Sequence, residues 1–374
     1  MATLLGGTLL SATLNQIYMN ILLSCSGSRN YLINYFKTAL GRNGQVFVCD
    51  SNPDAVSLQE ADHAFILPRS SHPEYFDLLL AICQQNQIGL LISLNDLELP
   101  LLALQRDRFL EIGTIPLISN PTAIDICFDK WKTYQFLKQN NIPTPKTYRS
   151  LADALEAITI GELSFPLVVK PRWGTASIGI EFPQDSEELE LAYRLVRKRL
   201  TRTILASASS IDPDRSVLIQ ERIVGEEYGL DIINNLDARY VTTFAKRKLS
   251  MRGGETDRAV TLDNPHLIAI GEKIGRNLKH IGNLDCDVLW GAQGYYVLEL
   301  NPRFGGGYPF SHVAGANLPA ALIAWANGKP VDPNWLRVAP NIMSSKCARL
   351  VPHKIKHSAA LAPVPVEKVA VAAS

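Results

Sequence analysis

The chain lacks most of the features that would place it in a specialised class. Its six cysteines (Cys25, Cys49, Cys83, Cys127, Cys286 and Cys347) are scattered and none forms a C-x-x-C pair, so neither a zinc site nor a disulfide framework is expected. Most have apolar neighbours, as buried thiols in a reducing compartment do. An excess of one charge is missing too. The formal net charge is +1, so no overall field favours nucleic acid or an acidic membrane. No Lys or Arg precedes Arg29, and Asn15, Gln16 and Asn20 interrupt the apolar start, which argues against a signal peptide and a membrane span. Residues 1–17 read as a flexible extension, and 331–374 as a C-terminal extension ending in a disordered tail. The expected location is the cytoplasm. No internal repeat is visible.

What remains is an ordinary globular composition over 374 residues, 47% hydrophobic and 20% charged, enough for two or three domains. From Tyr18 onward, apolar runs alternate with helical spacing. Tyr18–Cys25, Gln45–Asp50, a short Phe65–Pro68 and Ile88–Leu94 read as strands. Helices fall over Tyr31–Leu40 and Tyr75–Gln85. Continuous apolar strands suit a parallel sheet buried on both faces, so residues 18–121 are expected to form a Rossmann-like α/β domain. Its first turn, Ser24–Arg29, is not G-x-G-x-x-G, which weakens any dinucleotide reading. The turn either connects strand to helix or lines a substrate pocket. Asp96 and Glu98 either hold a substrate or cap the next helix.

The chemistry concentrates in Glu299-Leu300-Asn301-Pro302-Arg303, at the end of the apolar strand Tyr295–Leu298. Alternation along a strand points a carboxylate, an amide and a guanidinium into one space, the donors that a magnesium-bound polyphosphate needs. Residues 284–301 read as a hairpin. A three-residue loop, Ala292-Gln293-Gly294, sets Asp287 opposite Glu299 and Asp285 opposite Asn301; a two-residue loop would set Asp287 opposite Leu298. The first register gathers four oxygen donors, which repel unless a cation neutralises them. Lys170 closes a second apolar strand and leads into a loop, Trp173–Gly179, whose backbone N–H groups can cradle phosphate. This is not a P-loop, because the G-x-x-x-x-G-K-[ST] order is absent. The stretch Gln220–Tyr228 kinks at Gly225 and can offer backbone groups to an adenine edge and Glu227 to a ribose. Lys246–Thr256, basic and Gly-hinged, reads either as a lid too irregular for a sheet, with Arg247, Lys248 or Arg252 as a candidate for holding a substrate carboxylate, or as a solvated basic loop. Gly305–Pro309 is expected to wall the acceptor side, with His312 as a base.

Together these pieces resemble the ATP-grasp superfamily, and within it the group related to the large subunit of carbamoyl phosphate synthase. The motifs that carry the resemblance are Phe128-Asp129-Lys130, Val168-Val169-Lys170-Pro171, Gln220-Glu221-x-x-x-Gly225-x-Glu227 and Glu299-x-Asn301-Pro302-Arg303, in order over residues 121–328. The resemblance implies a mixed α/β and α+β architecture. An ATP-grasp domain at 122–330, with a small lid subdomain at about 145–222, would clasp ATP. It implies ATP and Mg²⁺ as cofactors, with Mn²⁺ as an alternative metal. Lys130, Lys170 and Ser177 would hold phosphates, Gln220, Glu221 and Ile223 the adenine end, and Glu227 the ribose. Asp287, Glu299 and Asn301 would hold metal, while Arg303, Lys170 and Arg247 would act on the reacting groups. The implied activity is an ADP-forming carboxylate–amine ligase proceeding through an acyl phosphate. The alternatives are phosphorylation of bicarbonate or carbamate, and a non-catalytic ATP-binding module. The implied partners are a small carboxylate and an amine, with no nucleic acid and no membrane, and a homodimer is left open.

Overall fold

The apolar runs near the start become neighbouring parallel strands with almost no solvent exposure. In this computed structural model, which describes residues 18–174 and 178–353, five strands form one parallel sheet. They are β1 (Asn20–Ser24), β2 (Val46–Asp50), β3 (His63–Ile66), β4 (Ile88–Ser93) and β5 (Ile115–Pro116), in the order β3-β2-β1-β4-β5. Helices Asn30–Leu40 and Tyr75–Gln85 bury Leu32, Ile33 and Phe36, and Tyr75, Leu79 and Ile82. Strand order reverses between β1 and β4, so the crevice beyond Ser24 and Ser93 is where such a sheet takes ligands. The expected extension at 1–17, the final tail and Ser177 lie outside the described residues. Among the described residues no helix is long and apolar enough to cross a membrane.

A second, three-stranded sheet comprises β6 (Thr147–Tyr148), β7 (Leu167–Pro171) and β8 (Val217–Glu221), all antiparallel. Helix Ser186–Leu200 places Leu189, Val196 and Leu200 at helical spacing against Val169, Val217 and Ile219. The third sheet has six strands: β9 (Glu226–Asn234), β10 (Tyr240–Arg252), β11 (Glu255–Leu262), β12 (Gly282–Gly291), β13 (Gly294–Asn301) and β14 (Met343–Ser345), in the order β13-β12-β9-β10-β11-β14. Helix Pro265–Leu278 lays Leu267, Ile274 and Leu278 on its apolar face, with Leu230, Ile232 and Leu284 beneath. The stretch after β8 crosses from the three-stranded sheet to the six-stranded one. The crossing needs Gly225, where an added Cβ would lie 1.7 Å from the Trp290 carbonyl oxygen.

The expected lid at Lys246–Thr256 is corrected. Those residues continue β10 and turn through Gly253-Gly254, both at positive φ, into β11, so the segment is a hairpin of the sheet. The basic side chains that made it look irregular alternate instead. Lys246 and Lys248 face one way, and Arg247 faces the other.

Candidate active site

Strand alternation on β12 sends Leu284, Cys286 and Val288 into the core and Asp285 and Asp287 to the opposite face. Asp287 stands opposite Glu299 and Asp285 opposite Asn301, as expected, but the route differs. The hairpin loop has two residues, Ala292 and Gln293, and Gly294 already pairs with Gly291. The one-residue slip that this loop creates is cancelled by a bulge after Val297, where Leu298 is the extra residue. Val297 and Leu300 both remain in the core with two residues between them, and Glu299 and Asn301 reach the carboxylate face.

These side chains line a cleft of about 450 Å³, with Arg29 and Gly306 on its far wall. Cations meet nearly every carboxylate. Lys130 Nζ lies 3.1 Å from Glu299 Oε2 and donates to the Gly174 carbonyl at 2.8 Å. Lys170 Nζ donates to Gln220 Oε1 at 2.7 Å, and Gln220 in turn donates to Thr147 at 2.8 Å. Lys248 Nζ bridges Asp287 (2.6 Å) and Glu227 (2.7 Å). Arg303 makes a two-point pair with Asp96 at 2.7 and 2.8 Å and lies 3.6 Å from Asp285. Asp129 caps helix Lys130–Gln139 and grips Arg172 through both oxygens, which fixes the strand end beyond Lys170 against that helix.

Burial raises the Glu299 carboxyl, but Lys130 and Lys170 outweigh it and hold the group at about 2. Burial, with the charge of Asp287 added, pushes Asp285 up to about 7. Burial and the neighbouring Lys130 lower Lys170 to about 8. Burial opposes the Lys248 ammonium, yet Asp287 and Glu227 raise it above the ordinary lysine range.

Several expected site residues are therefore brought together: Lys130, Lys170, Gln220, Asp287, Glu299, Asn301 and Arg303, with Glu227 beside them. Glu221 Oε2 accepts from the Lys146 backbone N–H, and Ile223 packs against Gly291, so closely that an added Cβ there would lie 2.7 Å from its methyl group. Arg247 is a correction. Alternation turns it away from the cleft, to pair with Glu226 at 2.9 Å, and Lys248 takes the inward position. Arg252 pairs with Asp257 near the end of the hairpin. His312 is also corrected: it stacks on Tyr35 at 3.6 Å and meets the Tyr308 hydroxyl, while Gly306 and Gly307 line the cleft. Glu98 occupies the N-cap position of helix Leu99–Leu104, but its side chain neither caps the helix nor lines the cleft. It is fully buried and accepts from Ser24, Ser93 and Tyr75, tying together the two strand ends of the crevice. Sequence reading missed Arg29 and Glu255 as individuals. Arg29 ends the turn suspected of lining a pocket, and Glu255 follows the Gly-Gly turn mistaken for a hinge.

The donor set is all oxygen (two or three carboxylates and an amide), which suits a hard divalent cation. Burial first, and then the charge of Asp287, raise Asp285, and bound positive charge would offset both. Among the described residues no three His, Cys, Asp or Glu converge as a ready-made metal cage, because lysine and arginine stand between them. The residues thus fit magnesium brought with a polyphosphate. Lys170 stands on the three-stranded sheet and the oxygen donors on the six-stranded one, while Lys130, at the start of helix Lys130–Gln139, reaches both Gly174 and Glu299.

Two antiparallel sheets that close on such a cleft, behind a parallel-sheet domain, define an ATP-dependent enzyme of the ATP-grasp class. The family model described as ATP-grasp domain matches residues 127–307, and that described as PylC-like, N-terminal domain matches residues 21–118. Residues 127–307 thus form a domain of the ATP-grasp family, whose members use ATP with magnesium. It is 24% identical over 322 residues to a carbamoyl-phosphate synthase of Methanobrevibacter smithii, covering 81% of this chain and 80% of that one. It is 23% identical to the carbamoyl phosphate synthase large chain of Methanosphaerula palustris over 75% of its own length, but spans about a quarter (26%) of that protein. A biotin carboxylase of Campylobacter jejuni superposes with a TM-score of 0.67 at 14% identity, over 86% of this chain and 74% of that one.

Proposed function

We propose that this chain is an ADP-forming ligase that activates a small carboxylate as an acyl phosphate for attack by an amine. The observation that carries this reading is the convergence of Lys130 and Lys170 on Glu299, which lines one polar cleft with Asn301, Asp287 and Arg303. Among the described residues no serine or cysteine nucleophile lines it, and phosphoryl transfer asks for none. Bound magnesium would neutralise phosphate charge and orient the terminal phosphoryl group, held by Asp287, Glu299 and Asn301. Lys130 and Lys170 bind phosphate oxygens, and Gln220 fixes the Lys170 ammonium. The linker at Glu221–Ile223 takes the base and Glu227 the ribose. Arg303, locked by Asp96, stabilises the charge that builds as a substrate carboxylate oxygen bonds to the γ-phosphorus and the bond to ADP breaks. An amine then attacks the acyl carbon. Phosphate leaves, and the nitrogen loses a proton.

The test is to supply MgATP with pools of small acids, using hydroxylamine as a surrogate amine. ADP and a hydroxamate are expected together, and Glu299→Gln should remove both while keeping the fold. An acid-independent ATPase, or full activity in Glu299→Gln, would overturn the reading. A second reading, phosphorylation of bicarbonate, is supported by the relative from Methanobrevibacter smithii matched over four-fifths of its length. It predicts ADP release driven by bicarbonate with no organic acid present.

A further inference from the structure

Lys248 belongs to β10, yet its ammonium lies against Asp287 on β12, two strands away. It gets there by crossing β9 at Gly229, the residue paired with Asp287 on one side and with Lys246 on the other. A Cβ at Gly229 would lie 3.3 Å from Lys248 Cε, so the missing side chain is the gap through which the lysine passes. Glu227, two residues earlier on the same face of β9, is the second carboxylate it bridges, at 2.7 Å. The lysine side chain is only 7% exposed. An ammonium held between two carboxylates this far from water is a strong, specific contact. It also sits on Asp287, the carboxylate that the proposed function gives to magnesium.

We propose that Lys248 is a resident counter-ion which a divalent cation must displace from Asp287, so that free metal is discriminated against and metal enters with its nucleotide. The inference rests on the assignment of Asp287 to metal. Without nucleotide, a cation added beside Lys248 raises an already compensated positive charge. With ATP, four negative charges arrive, and the ammonium released from Asp287 keeps Glu227 and gains phosphate oxygens nearby. Lys248 is thus a positioning residue. It holds the metal-free carboxylates apart from one another and couples the two ligands, whose affinities rise together as linkage requires.

The experiment titrates the full chain with Mn²⁺, read by the loss of free-ion EPR signal, with and without a non-hydrolysable ATP analogue. Thermal melting in EDTA and in Mn²⁺ is measured alongside. In Lys248→Met, nucleotide-free Mn²⁺ binding should tighten about tenfold or more, the melting temperature in EDTA should fall, and Mn²⁺ should restore it. Lys248→Arg, which keeps the charge, should retain weak nucleotide-free binding. Equal or weaker Mn²⁺ binding by Lys248→Met, or melting indifferent to Mn²⁺, would overturn the proposal. If Lys248→Met does not fold, the double variant Lys248→Met/Asp287→Asn removes both charges. Recovered folding supports the counter-ion role and continued failure refutes it. If the wild-type chain saturated with the analogue takes up no Mn²⁺, the metal assignment falls and the proposal with it. If it does take up Mn²⁺ while the Lys248 variants match it throughout, only the proposal falls.

Discussion

Arg303 and Asp96, separated by 207 residues, meet in a two-point ion pair that joins the loop after β4 to the end of β13. Both are largely buried, at 9% and 13% exposure, so the pair is shielded from water and salt. The fork of the guanidinium is thereby aimed in advance, and its remaining nitrogen faces Asp285 at 3.6 Å. Removing one partner of such a pair leaves the other charge buried and costs about 3 kcal/mol. Asp96→Asn should therefore lower the urea midpoint and cut kcat while leaving the KM for ATP nearly unchanged, because Asp96 is not expected to touch the nucleotide. A kcat equal to wild type would show that Arg303 keeps its aim without Asp96.

The buried Lys170 predicts how nucleotide affinity depends on pH. Its ammonium is held down to about 8, below the ordinary lysine value, by burial and by Lys130. A phosphate oxygen favours the charged form. Below pH 8 the lysine is already protonated and affinity is flat; above it, binding must take up a proton. ATP affinity should fall by up to about tenfold per pH unit above 8. Calorimetry in two buffers of different ionisation enthalpy, run at pH 7 and pH 9, should show proton uptake only at the higher pH. Uptake that persists in Lys170→Met would assign the proton elsewhere.

The parallel sheet was legible because its strands are unbroken apolar runs, and helix Tyr75–Gln85 because Tyr75, Phe76, Leu79, Ile82 and Cys83 recur at helical spacing. The carboxylate face was legible from alternation alone. The bulge at Leu298 was not, since a two-residue loop with a bulge and a three-residue loop without one give the same pairing of Asp287 with Glu299. The β10–β11 hairpin was misread because its inward positions carry Lys246 and Lys248. Charge there signals a loop, until Asp231 and Asp287 on the neighbouring strands are known to receive it. Long-range pairs such as Arg303 with Asp96 leave no local trace in a single sequence.

His280 should make the fold acid-sensitive. It is fully buried, its Nε2 bonds to the Ile232 carbonyl, and Nδ1 has no hydrogen-bond partner among the described residues. The carbonyl accepts, so Nε2 carries the proton and the ring is neutral. Charging Nδ1 would place a cation in the core, and burial lowers the pKa to about 4 from 6.5. A pKa depressed in the folded state means stability present above pH 6.5 and lost as pH falls towards 4. The shift is worth about 3 kcal/mol. Urea denaturation at pH 7 and pH 4.5 should show most of that loss in wild type and much less in His280→Gln, which keeps a donor for Ile232. Equal losses would place the acid sensitivity elsewhere.

Gly305 offers a graded test of how tightly the carboxylate face is held. A Cβ there would lie 2.1–2.3 Å from the Asp285 carboxyl group, whereas at Gly306 it would lie 3.1 Å from Glu255. Asp285 has little room to yield, being buried with Arg303 on one side and Asp287 on the other. Glu255 is the end of a flexible, partly exposed side chain paired with Lys346 at 2.9 Å, and it can move. Overpacking at Gly305→Ala should cost about 1–3 kcal/mol of stability. Its larger effect should be kinetic, because a displacement of about 1 Å in a reacting constellation can cost about 100-fold in rate. Gly306→Ala should lose far less of kcat. Steady-state rates for the two variants, with melting temperatures as the control for folding, check the order. If Gly306→Ala proved the more damaging, the rate-determining contacts would lie at the Arg29–Glu255 wall of the cleft rather than at Asp285.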